Sequence, residues 1–221
     1  MVGAPVFSLR DIVKRWPGMP GAVLDGVSLR LAEGEAVGVH GRNGSGKTTL
    51  LRVAAGLITP DAGVVDLQGS SPEASRREFQ RRIGFVSAGN GALFARLTVD
   101  HHLAFGARLA LLDANATRDA CATVVDDFAL DELRGKRVDR LSSGQRQRLR
   151  LALGLLHSPA VILLDEPSTS LDEPACRLLE GTLERRLASG AAAIICSPSP
   201  SADGLRLDRS LLVRDGSLVE G

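Results

Sequence analysis

The chain has 221 residues, enough for one large α/β domain with a sizeable buried core and, at most, an inserted subdomain. Its formal net charge is +1, so global charge indicates neither nucleic acid nor an anionic membrane surface as a partner. No apolar run has the length needed to span a bilayer, and residues 1–5 lack the charged region and apolar core of a secretory signal. Cys121, Cys176 and Cys196 are far apart without metal-ligand spacing, which favours a reduced, cytosolic protein.

Two segments near the N-terminus, residues 6–9 and 23–31, alternate apolar and polar residues and predict β-strands with one solvated face. The Pro/Gly-rich stretch 17–21 between them predicts a turn. Trp16, the only tryptophan of the chain, stands directly before this turn. Taken alone, its indole favours packing in the core or on the surface over stacking on a nucleotide base.

Residues 41–49 are the most specific feature of the sequence, because they match the phosphate-binding pattern G-x-x-x-x-G-K-[ST] at every fixed position. A strand-like apolar run, 36–40, precedes them, and a helix-like run, 50–55, follows. A helix N-terminus presents free N–H groups and a partial positive charge to an anion, and glycines let the backbone approach phosphates closely. The sequence therefore predicts an ATP-binding loop made of Gly41, Arg42, Asn43, Gly44, Ser45, Gly46, Lys47, Thr48 and Thr49.

Four side chains have predicted roles in nucleotide chemistry. The Lys47 ammonium would neutralise the β- and γ-phosphates, which makes it a catalytic candidate, and the Thr48 hydroxyl would ligate Mg²⁺. Asp165 and Glu166 directly follow a continuous apolar run, 161–164, typical of a central parallel strand. Ligands bind at this edge of open parallel sheets, so we predict that Asp165 holds Mg²⁺ beside Thr48 and that Glu166 is the general base for water.

The middle of the chain predicts a helical insertion in an α/β domain. Short strand signals at 64–67 and 83–86 give way to helical patterns at 99–110, 118–128 and 144–157. A short helical piece before residue 83 is rich in arginine, which favours a solvated face over a phosphate-contacting patch; its arginines are Arg76, Arg77, Arg81 and Arg82.

The last third of the chain returns to strands alternating with helices. A buried-type strand at 192–196 follows a helical pattern at 176–187 that Gly190 would end. Two short strands, 211–214 and 217–219, flank Asp215-Gly216, which is a hairpin signal. Together with the phosphate loop, this alternation predicts an α/β fold built on a mostly parallel sheet.

Residues 141–145, Leu-Ser-Ser-Gly-Gln, precede the third helical pattern, and a serine there is by itself an ordinary N-cap. Taken together, however, four segments resemble the nucleotide-binding subunit of ATP-binding-cassette (ABC) transporters, most of all the small exporter type: 41–49, 141–145, 161–166 and 170–172. The resemblance covers nearly the whole chain, from Trp16 to the Asp215-Gly216 hairpin. The family's usual signature, LSGGQ, is replaced here by LSSGQ.

The resemblance implies a single ABC ATPase domain over residues 1–221 with the P-loop NTPase fold. A mostly parallel sheet core and an N-terminal antiparallel β subdomain would occupy residues 1–89 and 158–221. An inserted α-helical subdomain that carries the signature would occupy residues 90–157.

The resemblance also implies a head-to-tail dimer, homomeric or heteromeric, with ATP between one subunit's phosphate loop and the other's signature. The signature's contacts with ATP and its Mg²⁺ complex would come from Ser142, Ser143, Gly144 and Gln145, and Trp16 becomes a candidate for stacking on the base. Residues 170–172 would lie across the dimer seam. A separate transmembrane permease would hold the chain at the inner, cytoplasmic face of the cell membrane, and no nucleic-acid partner is expected.

Two positions depart from the family pattern, and both concern hydrolysis. The family usually has a glutamine after the strand at 83–86, where this chain has Ser87, Ala88, Gly89 and Asn90. The Asn90 carboxamide would have to take the place of the glutamine side chain. It usually has a histidine after residue 196, where this chain has Pro198 between Ser197 and Ser199. Alanine and proline side chains form no hydrogen bonds, so the sequence specifies nucleotide binding better than turnover.

Three functions compete at this point. The first is an ATPase subunit that drives a separate permease, and the second is a non-hydrolysing or slow nucleotide-gated subunit of a heterodimeric ABC complex. The third is an ABC ATPase of DNA maintenance or translation. It is disfavoured because that class needs a long coiled-coil insertion or two cassettes on one chain.

Overall fold

The computed structural model describes residues 5–89, 91, 93–199 and 204–220. The elements up to the end of the fifth strand are β1 (Phe7–Arg15), β2 (Ala22–Leu31), β3 (Ala36–His40), α1 (Lys47–Ala54), β4 (Ala62–Leu67), α2 (Pro72–Gln80) and β5 (Ile83–Val86). The later elements are α3 (Val99–Leu109), α4 (Ala114–Asp127), α5 (Ser143–Leu155), β6 (Val161–Asp165), α6 (Glu173–Ala188), β7 (Ala192–Ser197), β8 (Arg209–Arg214) and β9 (Ser217–Glu220).

The first sheet is antiparallel and has the strand order β2-β1-β4. Its central strand, β1, continues to Arg15, well beyond the predicted end at residue 9. The alternation is broken at Asp11, which adopts φ 51, and the pairing register with β2 shifts between Leu9 and Ile12. A bulge of this kind moves the following side chains to the other face, which hides the rest of the strand from a period-two reading.

The second sheet has the order β5-β6-β7-β3-β8-β9 and is parallel except for the β8–β9 hairpin. This confirms the predicted α/β fold with a mostly parallel core and an antiparallel N-terminal sheet. The carboxyl ends of four neighbouring strands meet at one edge, as three pairings show: Val86 with Leu164, Asp165 with Cys196, and His40 with Ser197. Every residue of β6 is buried, which explains its continuous apolar run.

Between β5 and β6 the described chain is helical: α5 packs against β5, and α3 and α4 pack against α5 and against each other. Helix α4 begins at Ala114, earlier than the predicted residue 118, because the Asp113 carboxylate caps it by accepting from the N–H groups of Asn115 and Ala116. The helical insertion is therefore present, while its predicted limits, 90–157, remain a prediction. Among the described residues, no helix is both long and apolar enough to cross a membrane.

Candidate active site

The phosphate loop connects the end of β3 to the start of α1. Gly46 is the N-cap of α1, has φ 109, and forms no side-chain cap hydrogen bond. A Cβ atom at this position would lie 2.9 Å from the carbonyl oxygen of Val23, so glycine is required both by conformation and by space. The N-terminus of α1 thus presents its backbone N–H groups to the loop without competition from a capping side chain.

The Lys47 side chain lies inside this loop. It is 6% exposed, and its ammonium donates to the carbonyl oxygens of Gly41 at 2.6 Å and Arg42 at 3.1 Å. The backbone therefore holds a cation where the loop curls. The Ser45 hydroxyl is also buried here, and within the described chain it has no hydrogen-bond partner. A buried donor without a partner is uncommon in native proteins, and an anionic ligand in the loop would supply one.

The structure brings Thr48 and Asp165 together across 117 residues of sequence. The Thr48 hydroxyl donates to the Asp165 carboxylate at 2.7 Å, and Asp165 is 1% exposed. Mg²⁺ is usually held by one or two carboxylates together with the phosphates of its nucleotide, so this hydroxyl–carboxylate pair beside a phosphate loop fits that ion.

Glu166 follows Asp165 at the carboxyl edge of the sheet. Its backbone adopts φ 49, and its N–H donates to the carbonyl of Cys196 at 2.8 Å on the neighbouring strand β7. Glu166 lines a cleft of about 420 Å³. We call it the loop cleft; it is lined by Trp16, Met19, Val23, Asn43, Gly44, Gly46, Lys47, Thr48, Thr49 and Glu166.

Trp16 lies at the wall of the loop cleft and is 38% exposed, so it is not a core residue. The Lys14 ammonium stands over its ring, 5.3 Å from the ring centroid, and pairs with the Asp61 carboxylate at 3.0 Å. The hydrogen bond from the Arg15 N–H, and after it the one from Lys14, holds the pKa of Asp61 below its ordinary value. The sequence analysis missed Lys14, which lies in β1 two residues before Trp16.

The signature segment lies elsewhere. Ser142 caps α5 by accepting from the Gln145 N–H at 3.2 Å, while the Gln145 side chain accepts from the Ser142 N–H at 2.9 Å. Gly144 packs against residue 170, whose carbonyl oxygen is 2.8 Å from the position of a Cβ atom on Gly144. In the described chain, residues 142–145 do not line the loop cleft.

The two departures from the family pattern lie on either side of Glu166. Ser87 and Ala88 follow β5, and Pro198 follows β7, while β6, which leads to Glu166, lies between these strands. Ala88 and Pro198 are both exposed at this edge. Asn90, considered as a substitute for the missing glutamine, lies outside the described residues.

The strand end before Pro198 is held by a histidine that directly precedes the phosphate loop. His40 is buried, and its Nδ1 lies 2.8 Å from the Ser197 hydroxyl, which in turn donates to the Ser199 carbonyl at 2.9 Å. The Ser197 hydroxyl is thus engaged with protein groups.

The arrangement of these motifs is matched by known proteins. A profile of the ABC transporter family matches residues 24–169, which contain the phosphate loop, the signature and the acid pair. The chain belongs to the ABC transporter family. This confirms the resemblance drawn from the motifs, and the expected enzyme class, an ATPase, is that of the family's ATP-binding proteins.

Relatives of this ABC protein carry matching names. It is 36% identical over 146 residues to the ABC transporter ATP-binding protein NatA of Bacillus subtilis. The matched segment covers 66% of this chain and 59% of NatA. It is 32% identical over 219 residues to the Nod factor export ATP-binding protein I of Burkholderia orbicola, covering 99% of this chain and 71% of the relative. The chain thus spans less than two thirds of the length of NatA.

A solved structure agrees with this fold. The ATP-binding subunit of an ABC transporter superposes on 98% of this chain, and on 89% of its own, with a TM-score of 0.89 at 21% sequence identity. At this level of identity the agreement shows the fold alone. It extends to both sheets and the helical region, which confirms the expected ABC ATPase architecture.

Proposed function

We propose that this chain binds Mg-ATP in the loop cleft, pairs head-to-tail with a second ABC subunit, and hydrolyses the nucleotide slowly. In this proposal it drives transport by a separate transmembrane permease, which holds it at the cytoplasmic face of the membrane. The observation that carries the proposal is the meeting of Lys47, the Thr48–Asp165 pair and Glu166 at one sheet edge.

The residues of the cleft have distinct tasks in this reaction. The Lys47 ammonium and the α1 N-terminus bind the β- and γ-phosphates, and Trp16 stacks on the base. Thr48 and Asp165 would hold Mg²⁺, which when bound would neutralise charge on the phosphate oxygens. Glu166 accepts a proton from the attacking water, because it is the carboxylate that lines the cleft beside the phosphate loop.

The position of the signature supports a dimer. Ser142, Ser143, Gly144 and Gln145 are placed at the start of α5, away from the loop cleft of their own chain. Ser142 and Ser143 are exposed, so a second subunit can reach them. A head-to-tail partner, identical or different, would bring its own signature to this chain's nucleotide.

A groove between α2 and α3, with Arg76, Arg77 and Arg81 on its α2 side and large apolar side chains on its α3 side, supports a protein partner beyond the dimer. It encloses about 600 Å³, and its walls include Phe105, 44% exposed, and Leu109, 66% exposed. Phe94, 56% exposed, packs edge-on against Phe105 and extends this apolar surface. Large exposed apolar side chains grouped in this way mark interaction sites, and we assign this surface to the permease.

The second candidate function is that of a nucleotide-gated subunit that does not hydrolyse ATP. The exposed Ala88 and Pro198 favour it, because neither side chain can hydrogen-bond to water or a γ-phosphate. Steady-state ATPase assays on the purified chain, with and without membranes containing a co-expressed permease, separate the two. Hydrolysis below about ten per second that rises with permease supports the first function, and nucleotide binding without any hydrolysis in either assay supports the second.

A further inference from the structure

A buried arginine of α5, Arg150, has no part in the site described above. It is 7% exposed, and burial lowers the pKa of its guanidinium from the ordinary value. Among the residues that the structure describes it meets no carboxylate; it donates instead to the side-chain oxygen of Gln147 and to the backbone carbonyl of Ser87. A buried cation is costly unless it is well hydrogen-bonded, so these two hydrogen bonds offset part of the cost of burying the Arg150 guanidinium.

Gln147 extends the contact toward the catalytic edge. Its side-chain oxygen accepts from Arg150 at 2.8 Å, and its side-chain nitrogen donates to the carbonyl of Pro167 at 2.8 Å. Both ends of the amide are thus used, which fixes its orientation. Pro167 directly follows Glu166, so one side-chain pair on α5 binds the backbone beside the general-base candidate.

The same pair bridges two neighbouring strand ends. Ser87 follows β5 and Pro167 follows β6, and these strands are paired through Val86 and Leu164. Helix α5 packs closely against β5, because a Cβ atom on Gly154 would lie 2.4 Å from the Val86 side chain. The helix that begins with the signature is therefore joined to both strand ends by close packing and by side-chain hydrogen bonds.

We propose that Gln147 and Arg150 are positioning residues that keep Glu166 in register with the signature helix. The inference rests on the proposed ATPase function. Gln147 holds the Pro167 carbonyl. Glu166, the preceding residue, has a left-handed backbone conformation with φ 49. The direction of the Glu166 carboxylate therefore depends on the backbone that Gln147 holds. Contacts that a second subunit makes at the start of α5 reach Glu166 through this pair.

The decisive variant is Gln147→Glu in the full chain. Glutamate keeps an acceptor for Arg150 and adds a charge partner, but it removes the N–H donor to the Pro167 carbonyl. Displacing a catalytic group slightly costs rate rather than binding, so single-turnover hydrolysis of Mg-ATP should fall about tenfold or more. Affinity for Mg-ATP, measured by calorimetry, should stay within about twofold.

Arg150→Met and Arg148→Met form a matched pair. Arg148 lies on the same helix and also donates to two backbone carbonyls, those of Phe128 and Ala129, which directly follow the end of α4. Hydrolysis should fall in Arg150→Met and not in Arg148→Met, and Arg150→Lys, which can still donate to both partners, should restore part of the rate.

The outcomes are separable from those of the proposed function. Hydrolysis by the unmodified chain with unchanged rates in Gln147→Glu and Arg150→Met would overturn the positioning role alone. Loss of folding in Gln147→Glu, seen by near-ultraviolet circular dichroism, would make the pair a packing element and would overturn it as well. An unmodified chain that binds Mg-ATP and never hydrolyses it would overturn the proposed ATPase function and, with it, this inference.

Discussion

Two helices of this chain begin at a nucleotide motif, yet their N-termini differ. Helix α1 begins after Gly46, which has no side chain to cap it. Helix α5 begins after Ser142, which forms a capping box with Gln145. The Ser142 hydroxyl accepts from the Gln145 N–H, and the Gln145 side-chain oxygen accepts from the Ser142 N–H. Both helices carry the partial positive charge of a helix N-terminus, but only α1 leaves its first donors without a side-chain acceptor.

The difference indicates how binding is divided between the two ends. In the proposed function the α1 end is arranged for phosphate within one chain, because the Lys47 ammonium already lies inside the loop. The α5 end is capped by its own side chains and its first residues are exposed, so in the proposed dimer it would be formed before a partner's nucleotide arrives. We therefore expect loss of Lys47 at the α1 end to weaken Mg-ATP binding strongly, and changes at the α5 end to weaken assembly while Mg-ATP affinity persists.

Lys47→Ala should have the largest effect. Removing a charged donor from a desolvated loop should weaken Mg-ATP binding by about a hundredfold, because hydrogen bonds to charged groups are the strongest polar contacts. Calorimetry measures this affinity. Lys136→Ala, which removes an exposed lysine, is the control and should bind normally. Unchanged affinity in Lys47→Ala would mean that the α1 end is not the nucleotide site.

Glu166→Gln should separate binding from chemistry at the α1 end. Loss of the general base should lower hydrolysis about a hundredfold while Mg-ATP affinity persists. Nucleotide trapped between subunits should then raise the dimer fraction in light scattering with saturating Mg-ATP. Glu184→Gln, on the exposed side of α6, is the matched control. Monomer alone in the Glu166→Gln sample would contradict a homodimer.

Pro198→His tests the neighbouring strand end. If turnover is slow because a γ-phosphate contact is missing, an imidazole here should raise hydrolysis about tenfold without tighter binding. Pro198→Ala controls for the loss of the proline ring itself, and it should not raise the rate. Fast hydrolysis by the unmodified chain would show that other groups, such as Ser199, already make this contact.

Ser142→Ala should have the smallest effect and addresses the α5 end directly. Loss of the cap should lower the free energy of unfolding by about 1 kcal/mol. Ser71→Ala removes a comparable cap on α2, where the hydroxyl accepts from the Ala74 N–H at 3.3 Å. Denaturant unfolding should show similar losses for both, and only Ser142→Ala should weaken ATP-dependent dimerisation. Equal dimerisation would place the signature outside the interface.

The motifs themselves were readable because they depend on short-range interactions. The glycines and Lys47 of the phosphate loop and the cap at Ser142 each act within a few residues of their position. The acid pair could be predicted because it directly follows the continuous apolar run of β6. The alternation of strands and helices predicted the mostly parallel sheet for the same reason. It failed locally at β1, where the Asp11 bulge interrupts the period of two.

The tertiary structure decided which of these groups meet. Thr48 reaches Asp165 over 117 residues, and Arg150 reaches Ser87 over 63, because strand order places β5, β6 and β3 with their carboxyl ends at one edge. Such contacts have no sequence period, since they depend on how chain segments are brought together rather than on local spacing. The sequence therefore determined the chemistry available to this protein, and the tertiary structure determined that Gln147 and Arg150 would bind the backbone at Pro167 and Ser87, beside Glu166.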